Sequence, residues 1–391
     1  MKESHMRTKL AHTGDLELAK KIQSSVSVPK VLPIYMSSVF TFDDVPSLDA
    51  VYAGEADGYV YSRMTNPSTD AAEEMLAAAE GADGALVFSS GMAAIINAII
   101  ANMQAGDHIV SSPVLYGGVY DYFKHELPRF GVEVTFVEFD DPAKVEAAIR
   151  PNTKVVYTET ISNPLMEVND LPAIAAACRR KSPNLIFHAD CVQSFCRLPI
   201  DPVKWGIQLV SVSGHKIHAP KGTGALYIAK GTRLLPPLYG SGQEKGLRPG
   251  TENVPGIAAL GLAAQLMNDR CAENFAHFTA LRQRMITKLS QSPAVCINSP
   301  ADAAPYIVNC SVQGIRSEVM IHYLEQFGIY VSSGSACAKG ERSHVLTAMG
   351  LSRDRIDSAV RVSMTDTTTA GEIDEFCRRL LEGEATLTKR R

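Results

Sequence analysis

Short apolar, β-branched runs alternate with amphipathic stretches through the first part of the chain. Ala85 to Phe88 reads as a buried strand that runs through small residues into a helix, Met92 to Met103. His108–Ser111, Glu133–Phe139, Lys154–Thr158, Leu185–His188 and Leu209–Val212 read as further strands. Helices are expected at Gly117–Glu126, Pro142–Ile149 and Leu171–Arg179, and a last strand at Gly224–Ile228. Ala71–Glu80 is expected to be a helix capped by Ser68 or Thr69. This order predicts the α/β class, with a mainly parallel sheet covered by helices on both faces. Past Gly256 the pattern changes. One long helix is expected from Ile257 to about Gln291, then strands Tyr306–Val312 and Ile329–Ser332 around a helix Glu318–Phe327. Strand Val360–Ser363 and a helix from about Ala370 complete a smaller α+β domain. The organisation expected is an arm (1–60) without a sustained helical period, a large domain (61–256) and a small C-terminal domain (257–391).

Composition narrows the class without choosing a function. With 391 residues, 46% of them apolar, and a net charge of -4, the chain reads as an ordinary soluble protein with a large core. No basic excess points to nucleic acid. Residues 1–30 are polar and mixed in charge, so no secretory signal is expected, and no apolar run reaches bilayer-spanning length. Eight cysteines are scattered without CxxC pairs or zinc-like spacing, which fits reduced thiols in a cytoplasm and no metal site.

Candidate chemistry gathers at the expected carboxyl ends of the strands, where ligands bind in open α/β sheets. Ser213-Gly214-His215-Lys216 follows one strand and Pro220-Lys221-Gly222 precedes the next, which places Lys216 at the lip of the sheet. A lysine there can form a Schiff base with an aldehyde cofactor, usually pyridoxal 5'-phosphate (PLP). The plain alternative is a solvated surface lysine. Asp190 ends its strand as a pyridine-nitrogen partner must, although strand-ending aspartates also cap turns. Ser90-Gly91-Met92 opens a helix whose free N–H groups attract a phosphate. Tyr61 and Arg63, two apart in an extended segment, form either a phosphate fork or a surface pair. Tyr116 sits before Gly117-Gly118, either to stack on a cofactor or as a loop tyrosine. Cys337 lies in the small-residue loop Ser333 to Gly340, either as an ordinary loop cysteine or as a thiolate favoured by Lys339 and Arg342 near it. Arg361 suits a bidentate pair with a substrate carboxylate.

Taken together these residues resemble the fold-type I PLP enzymes, through two families. Residues from about 30 to 175 resemble the cystathionine synthase/lyase and methionine γ-lyase (Cys/Met metabolism) family. The motifs are Tyr61-Ser62-Arg63 with Asn66-Pro67, Ser89 to Met92, Tyr116-Gly117-Gly118, and Glu159 with Ser162-Asn163-Pro164. Residues from about 183 to 375 resemble NifS-type cysteine desulfurases. Their motifs are His188-Ala189-Asp190 with Val192-Gln193, Ser213 to Lys216, Gly242 to Asn253, Ser332 to Cys337, and Arg361. The change falls near Cys178 to Asn184, as in a recombinant or a chimera.

The resemblance implies PLP as cofactor, with Lys216 as the Schiff-base lysine and Asp190 as the pyridine partner. It implies Ser90, Gly91, Met92, Ser213 and His215 around the phosphate, Gln193 on the ring oxygen and Tyr116 on the ring face. Asn163 would lie near cofactor or substrate carboxylate, Arg361 would hold that carboxylate, and Cys337 would take the sulfur. Lyases send a Tyr-x-Arg pair, here Tyr61 and Arg63, into a neighbouring subunit's phosphate site; desulfurases send a threonine, here Thr251. A homodimer or homotetramer is therefore expected, acting on a small amino acid and passing sulfur to an acceptor protein. The leading expectation is a cysteine desulfurase giving L-alanine and a persulfide on Cys337. A trans-sulfuration-type C–S lyase or synthase is the alternative, and a PLP-fold binding protein with little catalysis stands third.

Overall fold

A computed structural model describes residues 33–62, 65–79, 84–162, 166–235, 247, 250–333, 346–347 and 350–388. Segment 33–62 holds a helix that the hydrophobic pattern does not announce, α1 (Val45–Ala53), where Asp44 accepts the Ser47 N–H at 2.8 Å and a proline occupies the first turn. Next comes α2 (Pro67–Ala79), which begins earlier than expected. Asn66, not Ser68 or Thr69, stands before its first turn: its Oδ1 accepts the Ser68 N–H at 2.9 Å, and Pro67 takes the first helical position, where no N–H is needed.

From there strands and helices alternate: β1 (Ala85–Phe88), α3 (Gly91–Ile100), β2 (His108–Ser111), α4 (Gly117–Asp121), β3 (Glu133–Phe136), α5 (Pro142–Ala148), β4 (Thr153–Glu159) and α6 (Leu171–Lys181). Then come β5 (Ile186–Asp190), α7 (Pro202–Trp205), β6 (Leu209–Ser213) and β7 (Gly224–Ile228). The helix expected to reach Glu126 stops at Asp121 and continues as a wider turn, Tyr122–Glu126, and a tighter one, Leu127–Phe130. The seven strands form one sheet in the order β1-β7-β6-β5-β4-β2-β3. β6, β5, β4, β2 and β3 pair in parallel, and β7 runs antiparallel between β1 and β6.

Alternation along the strands explains the layers. Val87, Val110, Val156, Phe187 and Val210 face one side with Leu76 of α2 and Ile174 of α6. Ile109, Val155 and Tyr157 face the other with Ile95 and Ile99 of α3. Successive side chains point to opposite faces, so runs apolar at every position require cover on both.

The single helix expected from Ile257 to Gln291 is two, α8 (Val254–Asp269) and α9 (Cys271–Leu289), broken at Arg270. No glycine or proline marks the break; packing imposes it. Ile257, Leu260, Ala264 and Met267 of α8 join the core of the seven-stranded sheet, although the sequence places a domain boundary before them. Phe278, Leu281, Met285 and Leu289 of α9 join a second core. That core backs an antiparallel sheet of β8 (Val295–Ile297), β9 (Ile307–Val312) and β10 (Ala359–Ser363), ordered β10-β9-β8. Between β9 and β10 lie α10 (Ser317–Glu325) and α11 (Arg353–Asp357), and α12 (Ala370–Thr386) ends the described chain. The strand expected at Ile329–Ser332 is only a bridge, Ser332 to Arg361. Among the described residues no helix is long and apolar enough to cross a membrane.

The edge of the large sheet packs tightly against the start of α3. Gly224 of β7 pairs with Phe88 of β1, and a Cβ on it would lie 2.7 Å from the Gly91 nitrogen and closer still to Ser90. Gly224→Ala is therefore expected to push the Ser90–Gly91 turn aside, at a cost of about 1–3 kcal/mol in denaturant unfolding.

Candidate active site

At the carboxyl ends of β4, β5 and β6 lies a cavity of about 310 Å³. Its wall contains Ser90, Gly91, Met92, Tyr116, Asp190, Gln193, Ser213, His215, Lys216 and Arg361, all singled out from the sequence. Ile95, Glu159, Ile161, Val192, Gly222 and Thr223 also line it. Tyr61 bridges to Val39 and does not line the cavity, nor does the exposed Thr251. Arg63, Asn163 and Cys337 lie outside the described residues.

One end of the cavity is the start of α3. Ser90 caps that helix, its Oγ accepting the Ala93 N–H at 3.1 Å. A Cβ at Gly91 would meet Ser213 Cβ at 2.9 Å, so only glycine lets the helix start this close to the end of β6. Ser213 Oγ and His215 Nδ1 are 2.8 Å apart on that rim. Partial burial and the nearby Lys216 and Lys221 charges lower the His215 pKa.

Asp190, also in the wall, is buried at the end of β5. One carboxylate oxygen accepts the Val192 N–H at 2.8 Å and the other the Tyr157 hydroxyl at 3.0 Å. Desolvation raises its pKa against these bonds and the Lys216 charge. Glu159 is its in-register neighbour on β4, and its carboxylate accepts the Tyr116 N–H. Burial and the Asp190 charge push the Glu159 pKa well up.

Lys216 ends a single 3-10 turn, Gly214–Lys216, directly after β6. Its carbonyl accepts from Arg197 Nη2 at 2.6 Å. The Arg197 guanidinium lies 4.8 Å from the centre of the Tyr306 ring, and the Tyr306 hydroxyl donates to the Gln193 carbonyl at 2.5 Å. Tyr306 precedes β9, so the smaller sheet braces the main chain at two wall residues. Arg361 reaches the same cavity from β10.

Comparison with known proteins bears on this arrangement directly. The family model for Cys/Met metabolism PLP-dependent enzymes matches residues 8–219, more than half of the chain. The chain belongs to this family of PLP-dependent enzymes. Cysteine desulfurase 2 of Trichormus variabilis is 34% identical over 345 residues, spanning 85% of this chain and 86% of that protein. A solved NifS-like protein aligns with a TM-score of 0.76 at 26% identity, covering 89% of this chain and 97% of that one. SspA, solved in complex with cysteine, aligns at 0.65 and 25% identity over 85% of this chain and 98% of its own. The family match runs past residues 178–184, and a 345-residue likeness is too long to lie on one side of them. Neither similarity therefore stops where the sequence motifs change.

The cofactor of this PLP-dependent family fits the cavity by its donor set. A helix start with no room for a Cβ, a buried carboxylate and a lysine all line it. Among the described residues no group of His, Cys, Asp or Glu is placed to hold a metal ion.

Sequence reasoning singled out the polar wall and passed over Ile95 and Ile161, whose apolar side chains read as ordinary core. His188, two residues before Asp190, is fully buried. Its Nε2 lies 3.2 Å from Ser211 Oγ, and its Nδ1 has no hydrogen-bond partner among the described residues. Burial lowers its pKa from 6.5 to about 3. The unfolded chain then binds a proton below pH 6.5 that the native state refuses, so His188 favours the fold above that pH and loses that contribution as pH falls towards 3. His188→Gln is expected to flatten the loss of stability between pH 7 and pH 4 by up to a few kcal/mol, read from urea midpoints across that range.

Proposed function

We propose that the protein is a cysteine desulfurase: it breaks the C–S bond of L-cysteine, releases L-alanine and leaves the sulfur as a persulfide on Cys337. The observation that carries this reading is the meeting of Lys216, Asp190 and Arg361 in one cavity of a chain whose relatives at 34% identity are cysteine desulfurases.

In this proposal Lys216 would hold the cofactor aldehyde, and its amine, when free, would take the proton from the substrate α-carbon as general base. Asp190 would pair with the ring nitrogen and hold a proton there. Tyr157 and the Val192 N–H fix its carboxylate in that orientation. PLP, when bound, supplies the sink for the electron pair released at the α-carbon. Ser90, Gly91, Met92, Ser213 and His215 bind the phosphate. Gln193 would bond the ring oxygen, and Tyr116 would cover the ring. Arg361 pairs with the substrate carboxylate, with Asn163 beside it.

The Cys337 thiolate attacks the substrate sulfur. The sulfur–Cβ bond breaks, its electron pair passes to Cβ, which takes a proton, and Lys216 would return the proton to the α-carbon to give alanine, so no outside oxidant is needed. Ser332, five residues before Cys337, is bonded to Arg361 at 2.6 and 3.2 Å, which supports a sulfur-accepting loop anchored beside the cavity. An acceptor protein with a free thiol would then remove the sulfur. Tyr61, Arg63 and Thr251 are assigned to a neighbouring subunit's site, in a homodimer or homotetramer. The proposal also takes as units of the chain an arm, a large domain extended to include α8, and a small domain from α9 onward, and the cytoplasm as its setting.

A β- or γ-eliminating C–S lyase is the second reading, favoured by Tyr116 in the cavity wall. Incubation of the PLP-loaded enzyme with cysteine separates the two. Alanine in step with thiol-bound sulfur supports desulfuration; pyruvate with ammonia and free sulfide overturns it.

A further inference from the structure

Tyr116 is gripped on three sides. Its N–H donates to the Glu159 carboxylate, and its carbonyl accepts the Val119 and Tyr120 N–H groups at 2.9 and 3.0 Å, which starts α4. Its ring lies against Gly118, where a Cβ would stand 2.8 Å from Tyr116 Cε1 and 3.4 Å from Cζ. Glu159 is only 5% exposed and stands in register with the buried Asp190. A buried acceptor beside a second carboxylate costs stability unless a bond repays it, and the bond Glu159 makes is to the Tyr116 N–H. The arrangement is explained if that side-chain oxygen has a task at the cavity.

We propose that Glu159 and Gly118 are positioning residues for Tyr116: the carboxylate holds its main chain to the sheet, and the missing Cβ leaves its ring in place over the cavity. The inference rests on the reading of Tyr116 as the residue that covers the cofactor ring. Glu159 and Gly118 act through Tyr116 by separate routes, one from β4 and one from within α4. Gly118→Ala should disturb the ring without touching Lys216 or Asp190. Glu159→Ala also removes a carboxylate beside Asp190, which Glu159→Gln controls for by removing the charge and keeping the acceptor.

The test uses the PLP-loaded enzyme and two readouts other than turnover, the visible circular dichroism of the bound cofactor and its dissociation constant. Tyr116→Ala is expected to lose most of the dichroism. Glu159→Ala and Gly118→Ala are each expected to move the signal towards that of Tyr116→Ala and to weaken cofactor binding about 2- to 10-fold, the range for a displaced aromatic contact. Gly118→Ala should not lower the melting temperature, because alanine is the better helix former. Glu159→Gln, whose amide oxygen still accepts the Tyr116 N–H, should restore the dichroism. Wild-type dichroism in both Glu159→Ala and Gly118→Ala, with loss in Tyr116→Ala, overturns the positioning role alone. A silent Tyr116→Ala overturns the placement of Tyr116 and this inference with it.

Discussion

Lys216→Ala is expected to bind PLP without the lysine-linked chromophore and to turn over cysteine about 10²- to 10⁴-fold more slowly, the range for loss of a positioned general base. The fold should survive the change. Lys216 is only partly buried, and its main chain is fixed by Arg197 at the carbonyl and by the 3-10 turn before it, neither of which needs the side chain. An unchanged melting temperature with lost turnover would therefore assign the defect to chemistry. Lys221 provides the internal control. It stands in the Pro220–Gly222 turn and is absent from the cavity wall, so Lys221→Ala should retain both colour and rate.

Cys337→Ser carries the second large effect. Alanine release from cysteine and persulfide labelling should both fall to the level of free PLP, because a serine hydroxyl cannot accept sulfur from a thiol. Cofactor colour and affinity should stay at wild-type values, since Lys216, Asp190 and the start of α3 are untouched. Pyruvate release, if the wild-type enzyme shows any, should persist. Alanine formation at the wild-type rate in this variant would remove Cys337 from the reaction and leave the eliminating lyase as the better account.

The large sheet was legible because strands buried on both faces must be apolar at each position. β2 and β7 lie where the pattern places them, residue for residue, with Gly and Pro marking the turns. The cavity was legible for a related reason. Ligands bind beyond the carboxyl ends of such strands, and Asp190, Ser213 and Lys216 all come after an apolar run there. The break at Arg270 was not legible. The helical pattern continues across it, and only the need for α8 and α9 to serve different cores separates them. Glu159 was visible as a motif residue without a task, because its partner is a main-chain N–H from an element 43 residues away. The contact between Tyr306 and Gln193 spans 113 residues and two sheets, and no local pattern announces it.

The central claim is that one lysine, facing a buried aspartate, holds the cofactor. Reduction of the PLP-loaded enzyme with borohydride, then peptide mapping, tests it most directly. The account predicts the cofactor's mass on Lys216 in wild-type protein and no labelled peptide in Lys216→Ala. A label on Lys221 or any other lysine, or labelling that survives Lys216→Ala, would contradict it.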